Sequence, residues 1–210
     1  MTRGEIMKNN NEKLRGIFAR LDSLDYVKPE QIPNIDLYMD QVTTFMDEHL
    51  KKSKRYPEDK VLTKTMINNY AKNNLLPPPI KKKYTKEHML LLIYIYYFKN
   101  FLAFSDIETL FQPITEEHFM DHSELSLQDI YEQIFSQEKD QMKQLKEDLI
   151  RKFRAVQTVF TEQEEEDREY LQLFAFICAL GFDVYLKKQT MELLIDQIRE
   201  ERTSDGKKKK

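Results

Sequence analysis

The segment His88–Leu102, HMLLLIYIYYFKNFL, constrains the fold of this chain more than any other. At helical spacing its apolar side chains cover nearly the whole circumference, so the helix must be enclosed from several directions at once. The aromatic residues in it suggest a base-stacking surface, but at this spacing they read as core. The rest of the chain supplies the enclosing elements. With four glycines and 33% charged residues in 210, the sequence reads as mainly α, with ample length for a buried core.

Upstream, Ile35–Leu50 places Ile35, Tyr38, Met39, Val42, Phe45, Met46 and Leu50 at i, i+3, i+4 and i+7, which predicts one helix over the whole stretch. A basic connector with Pro57 follows. Thr63 then caps a helix in TKTMINNYAKNN, with Met66, Ile67 and Tyr70 facing inward and Asn74 as the left-handed residue that ends it. Pro77, Pro78 and Pro79 forbid further helix and keep the backbone extended. Thr85 opens the apolar helix, with His88 where a capping box has Glu or Gln.

A short helix is expected at SDIETLF, with Ser105 as N-cap and Pro113 as its end. A second capping signal, at SLQD, opens an amphipathic run from Leu127 to Phe160, read as one long helix or a broken pair. The last helices are expected at Glu164–Leu180 and Phe182–Glu201, divided at Gly181, with the acidic block EQEEEDRE at the favourable end of the helix dipole. Near the N-terminus, Leu14–Leu24 fits a short amphipathic helix, and Pro29 and Pro33 mark its exit.

Several function classes lack a signal. There is no glycine-rich phosphate loop, nucleophile elbow or Cys/His grid, so neither an enzyme nor a cofactor is expected. His118 and His122 stand four apart, as a helical metal site requires, but the stretch follows Pro113 and no metal site is assigned. The greasiest segment, YLQLFAFICALGFDVYL, is interrupted by Gln172, Gly181 and Asp183 and reads as a core helix, with no membrane partner. Its Cys178, the single cysteine, reads as a small buried hydrophobe suited to a reducing cytoplasm. The N-terminal MTRGEIMKNNNEK lacks the apolar run of a secretion signal, so the expected location is cytoplasmic.

Charge is divided along the chain. Lys51–Lys86 carries eleven Lys/Arg against Glu58 and Asp59, whereas Glu116–Glu169 carries sixteen Asp/Glu against seven Lys/Arg. A basic stretch beside an acidic one suggests a polyanion partner for the former. Solvated helix faces of mixed sign are the alternative.

The sequence MINNYAKNNLLPPPIKKKYTKEHM, followed by DIETLF, resembles the DNA-binding module of the MerR family. Tyr70, Leu75, Leu76, Pro77, Lys83, Tyr84, Thr85, Ile107 and Leu110 match that family's pattern, and Asn74 stands in place of its glycine. With IDLYMDQVTTFM upstream, the chain more closely resembles a group of uncharacterised bacterial proteins with a MerR-like module, known as a domain of unknown function. Three departures accompany the resemblance: Asn68-Asn69 replaces an Arg-Tyr pair, the wing before Tyr84 is short, and a long connector separates the first two helices.

The resemblance implies a winged helix-turn-helix at residues 34–113, after an N-terminal extension at 1–33. A helical bundle or dimerisation domain would follow at 114–202, and a disordered tail at 203–210. It also implies a transcription regulator binding double-stranded DNA as a homodimer on a pseudo-palindromic site, with the effector unknown. The Leu127–Phe160 run is the candidate dimer helix. Candidate DNA-binding residues are Thr63, Lys64, Thr65, Asn68, Asn69 and Lys72 on the recognition helix and Lys81, Lys82 and Lys83 on the wing. Amide side chains can pair both ways with adenine, and clustered lysines neutralise phosphates without reading sequence. Tyr70 and Tyr84 are expected to pack. The alternative is a winged-helix interaction module whose basic face binds an acidic partner, including the chain's own acidic half.

Overall fold

The structure, a computed structural model, describes residues 10–24, 26–119 and 124–208. The elements are α1 (Asn10–Asp22), β1 (Leu37–Tyr38), α2 (Met39–Leu50), α3 (Lys64–Lys72) and β2 (Lys83–Tyr84). They continue with α4 (Lys86–Phe98), α5 (Phe104–His118), α6 (Leu127–Phe135), α7 (Glu138–Val156) and α8 (Glu165–Lys208). The chain is mainly α, as its composition predicts. It divides into two compact units, each built from two stretches: Tyr26–Ser136 with Lys188–Lys210, and Met1–Asp25 with Gln137–Lys187.

The larger unit is organised around α4. Residues Met89, Leu90, Leu91, Leu92, Ile93, Tyr94 and Ile95 are all buried, as the all-round apolar pattern requires. Helix α4 packs against α6 and β2, and α2 packs against α3 and both strands. Ile195 of α8 joins the same core. At the α6 end the Tyr131 hydroxyl donates to the Val27 carbonyl at 2.7 Å, and the Tyr131 ring lies 5.3 Å from that of Tyr94.

The first expected helix is shorter than its periodicity suggested. Leu37 and Tyr38 form a strand antiparallel to β2, with Leu37 opposite Tyr84 and Tyr38 opposite Lys83. Tyr38 becomes the N-cap of α2, and its N–H donates to the Gln41 side chain at 2.8 Å. Ladder bonds to a distant segment replace one more helical turn, and Ile35 and Tyr38 are left exposed.

Helix α5 starts after Ala103 rather than Ser105 and runs through Pro113 to His118. A proline inside a helix forfeits one backbone bond and costs roughly 3 kcal/mol. Burial of Ile107 and Phe111 holds this one together. Glu116, one turn on, accepts from Gln112 at 2.8 Å and from Arg202 at 2.8 Å. The capping signal at Ser126 closes fully: Ser126 accepts from the Asp129 N–H at 3.1 Å, and the Asp129 carboxylate accepts from the Ser126 N–H at 3.0 Å. The Leu127–Phe160 run is a broken pair, α6 and α7.

In the smaller unit α1, α7 and the first part of α8 share a modest core. Leu149, Phe153 and Phe176 are buried, with Leu14, Phe18, Leu21, Val156 and Leu180 against them. Lys152 pairs with both Asp148 and Asp183, which holds its pKa above the ordinary lysine value. Leu149 and Val156, part of the stripe expected to form a dimer seam, face this core instead.

Helix α8 departs most from expectation. It is one helix without a break at Gly181, and it continues through Thr203 and Ser204 into the expected tail. Its first half is not a core helix: Phe176 is buried, but Tyr170, Phe174, Ile177, Phe182, Val184 and Tyr185 are each more than half exposed. Cys178 is exposed as well. The reason is geometric, since two neighbouring helices cover only one side of a third. Within Glu165–Ser204 the most apolar 18-residue window has a mean hydropathy of 1.4 and is 6% buried, so by length and composition this helix is able to cross a membrane. Asp183, inside that apolar stretch, is held by its ion pair with Lys152.

Candidate nucleic-acid interface

The site is built from α3, the turn that follows it, and the hairpin between Ile80 and Tyr84. Thr63 caps α3 by accepting the Met66 N–H at 3.2 Å, so its hydroxyl is committed to the helix. Ile67 and Tyr70 are buried, which fixes the rotation of the helix. Thr65, Asn68, Asn69 and Lys72 then fall at i, i+3, i+4 and i+7 on one exposed stripe. Among the described residues, no side-chain hydrogen bond engages the amides of Asn68 or Asn69. Lys64 is exposed and paired with Asp40 at the start of α2.

The end of α3 follows from local chemistry. Asn74 has φ 56°, the left-handed conformation expected of it. The Leu75 N–H donates to the Tyr70 carbonyl at 2.9 Å and the Asn74 N–H to the Ala71 carbonyl at 3.4 Å, the paired bonds of a Schellman motif. Leu75 and Leu76 are fully buried and pin the turn to the core. The three prolines then carry the chain to the hairpin without helix.

The hairpin is tighter than a loop. Ile80 and Lys83 form an antiparallel bridge, and the Lys83 N–H donates to the Ile80 carbonyl at 2.9 Å. Lys81 and Lys82, the two residues between, have φ 51° and 64°. Two left-handed central residues make this a type I′ turn, a geometry that normally selects Asn-Gly. Here lysines occupy both positions, exposed, and among the described residues neither they nor Lys72 has a carboxylate partner. Lys83 is half-buried, its ammonium 5.5 Å from the centre of the Tyr38 ring.

Two contacts link the hairpin to α3. Lys83 rests on Tyr38 across the strand pair, and Asp40, two residues beyond Tyr38, meets Lys64. Tyr70 and Tyr84 pack in the core as expected, and burial raises both phenol pKa values, so both hydroxyls stay neutral.

Beneath the hairpin lies His88, 1% exposed. Its Nδ1 accepts the Thr85 N–H at 3.0 Å, and its ring meets Tyr84 and Phe119 edge-on at 5.5 and 4.8 Å. Burial lowers its pKa. The carbonyls of Pro78 and Pro77 oppose that shift by favouring a proton on the ring, but neither forms a hydrogen bond of normal geometry with Nε2.

All nine sequence-predicted residues thus lie on α3 or the hairpin. Six are exposed without being capped or half-buried: Lys64, Thr65, Asn68, Asn69, Lys72 and the Lys81-Lys82 tip counted as one feature. Tyr38, Asp40 and His88 went unnoticed in the sequence, because each matters through a partner that only the fold supplies. The offset of three between Thr85 and His88 was the one visible signal. Of the two histidines weighed for a metal, His118 hydrogen-bonds the Leu125 carbonyl at 2.8 Å, and His122 lies outside the described residues. Among the described residues no cluster of three His, Cys, Asp or Glu could hold a metal ion.

A family model described as a domain of unknown function, DUF1836, matches residues 27–134, just over half of the chain. The chain belongs to this family. The DUF1836 segment contains α3, the hairpin and all nine candidate residues, and it ends within α6. No curated protein and no solved structure matches the chain.

Proposed function

We propose that this DUF1836 protein is a cytoplasmic, non-enzymatic transcription regulator that binds double-stranded DNA through a MerR-like winged helix-turn-helix. The observation that carries the reading is the joint exposure of the α3 stripe and the Lys81-Lys82 tip. In this reading α3 enters the major groove, Asn68 and Asn69 read base edges, and the lysine tip contacts flanking phosphate. Lys64 and Lys83, tethered to Asp40 and Tyr38, set the spacing between helix and wing.

A homodimer supplies two such surfaces for a pseudo-palindromic site. The exposed strip on α8 supports it. Aromatic side chains bury on the order of 150–250 Å² each, so Tyr170, Phe174, Phe182 and Tyr185 with their aliphatic neighbours approach the roughly 800 Å² each partner gives to a standard interface.

The test is a fluorescence-anisotropy titration with the DNA upstream of the protein's own gene and with scrambled DNA, at two salt concentrations. Tighter, salt-sensitive binding to the upstream DNA is expected. The triple change Lys81→Ala, Lys82→Ala, Lys83→Ala should weaken binding to every sequence and flatten the salt dependence, and Asn68→Ala should relax the preference between sequences. Weak binding equal for both DNAs would reject the reading.

One observation favours a second reading. Ile35, Tyr38 and Ile80 are exposed on or beside the strands that carry the lysines. Apolar side chains among cations suit an acidic protein partner better than a phosphate backbone.

A further inference from the structure

The larger unit contains a cavity of about 410 Å³ among α4, α5 and α6, closed on one side by Ile198 of α8. Interiors pack to crystal density and leave few voids larger than a water, so a space of this size is within the range of ligand sites. Its lining is aliphatic and aromatic, with one exception. Tyr94 forms part of the wall, is 8% exposed, and its hydroxyl has no hydrogen-bond partner. The contrast with Tyr131 is informative. The two rings are 5.3 Å apart, yet Tyr131 donates to the Val27 carbonyl while Tyr94 donates to nothing. Leaving a buried hydroxyl unpaired costs about 1–3 kcal/mol.

We propose that this cavity binds a small, uncharged, largely apolar molecule bearing one oxygen acceptor, held by a hydrogen bond from the Tyr94 hydroxyl. The lining contains no charged side chain, so an ionised ligand would sit there without a counter-charge. A phenol is a donor at neutral pH, and burial pushes the pKa of Tyr94 up to about 12, which keeps its proton in place. The half-exposed Ile134 lies at the cavity's rim. A second recess of about 470 Å³ shares Phe98, Leu110 and Ile198 with the first, and gives a longer molecule room to extend. None of these residues belongs to α3 or the hairpin, so the inference stands whether or not the protein binds DNA.

The probe for the test is Prodan, an uncharged naphthalene ketone whose emission reports both apolar surroundings and hydrogen bonding at its carbonyl. The full-length protein should bind it saturably at one site per chain, with emission shifted to the blue of its value in water. Tyr94→Phe keeps the cavity and removes the donor. It should weaken binding roughly three- to tenfold and move the bound emission further to the blue. Ile134→Trp, a change at a half-exposed position that spares the core, should block entry and abolish the signal. No saturable binding, or binding that neither variant alters, would overturn the proposal. So would a signal lost on changing Ile177→Glu instead, because the probe would then be coating the exposed strip of α8.

Discussion

The backbone N–H of Thr85 donates to Nδ1 of His88 at 3.0 Å, so an imidazole closes the N-terminus of α4 where a glutamate ordinarily would. The bond needs Nδ1 unprotonated. Burial lowers the His88 pKa from its ordinary 6.5, so the unfolded chain takes up this proton more readily than the folded one. The resulting stability is present above pH 6.5 and is lost as the pH falls from there through the lower folded-state value. Urea midpoints measured from pH 8 to pH 5 should therefore fall on the acid side. His88→Gln keeps an acceptor at the same position without the titration, and should flatten that part of the curve. An unchanged slope would assign the pH dependence to other groups.

Asn74 holds a left-handed conformation at the end of α3, with φ 56°. Asn74→Ala should destabilise the protein by about 1 kcal/mol, the penalty for a Cβ in that conformation. Asn74→Gly should be neutral or raise stability by a few tenths of a kcal/mol. Thermal melts of the two variants decide the matter, and equal values would mean that the turn adopts another geometry.

Lys81 and Lys82 place charge where backbone geometry favours Asn-Gly. Replacing them with that pair, Lys81→Asn with Lys82→Gly, should raise stability by about 1 kcal/mol through relief of two left-handed non-glycine residues. The same variant should bind DNA more weakly at every sequence, with a salt dependence shallower by about two ion contacts. Denaturation and anisotropy on one preparation test both halves. Gained stability with unchanged DNA affinity would separate the turn from binding.

The apolar strip on α8 predicts self-association. Sedimentation should find a dimer for the full chain, and Phe174→Glu combined with Ile177→Glu should return it to a monomer without loss of helical signal, because both side chains are more than half exposed. A wild-type monomer would leave the strip to another partner or to a membrane surface.

Features decided within a few residues were legible in the sequence. Thr63 and Ser126 as caps, Asn74 as the left-handed residue and the burial of Tyr70 and Tyr84 all follow from neighbours a turn or so away. Those decided by distant partners were not. Leu37 and Tyr38 fit the helical periodicity of α2 and leave it only because β2 is there to pair with. Pro113 reads as a stop, yet the core on one side of α5 outweighs its lost bond. Hydropathy identified the apolar run at Tyr170–Leu186 but not whether anything covers it, since that depends on how many helices reach it. The cavity at Tyr94 left no trace in the sequence, because an unpaired hydroxyl is a property of surroundings.

Ile195 is 4% exposed in the core organised by α4, yet it lies some sixty residues beyond the end of the DUF1836 match. What is inherited as a recognisable stretch and what folds as one body are therefore different objects. A gene fragment cut at either end of the match would lack its own plug, and shuffling it into another protein would require a surrogate helix at the same place. Relatives within the family are then expected to vary freely after α6 only so far as each retains some apolar segment to fill that position.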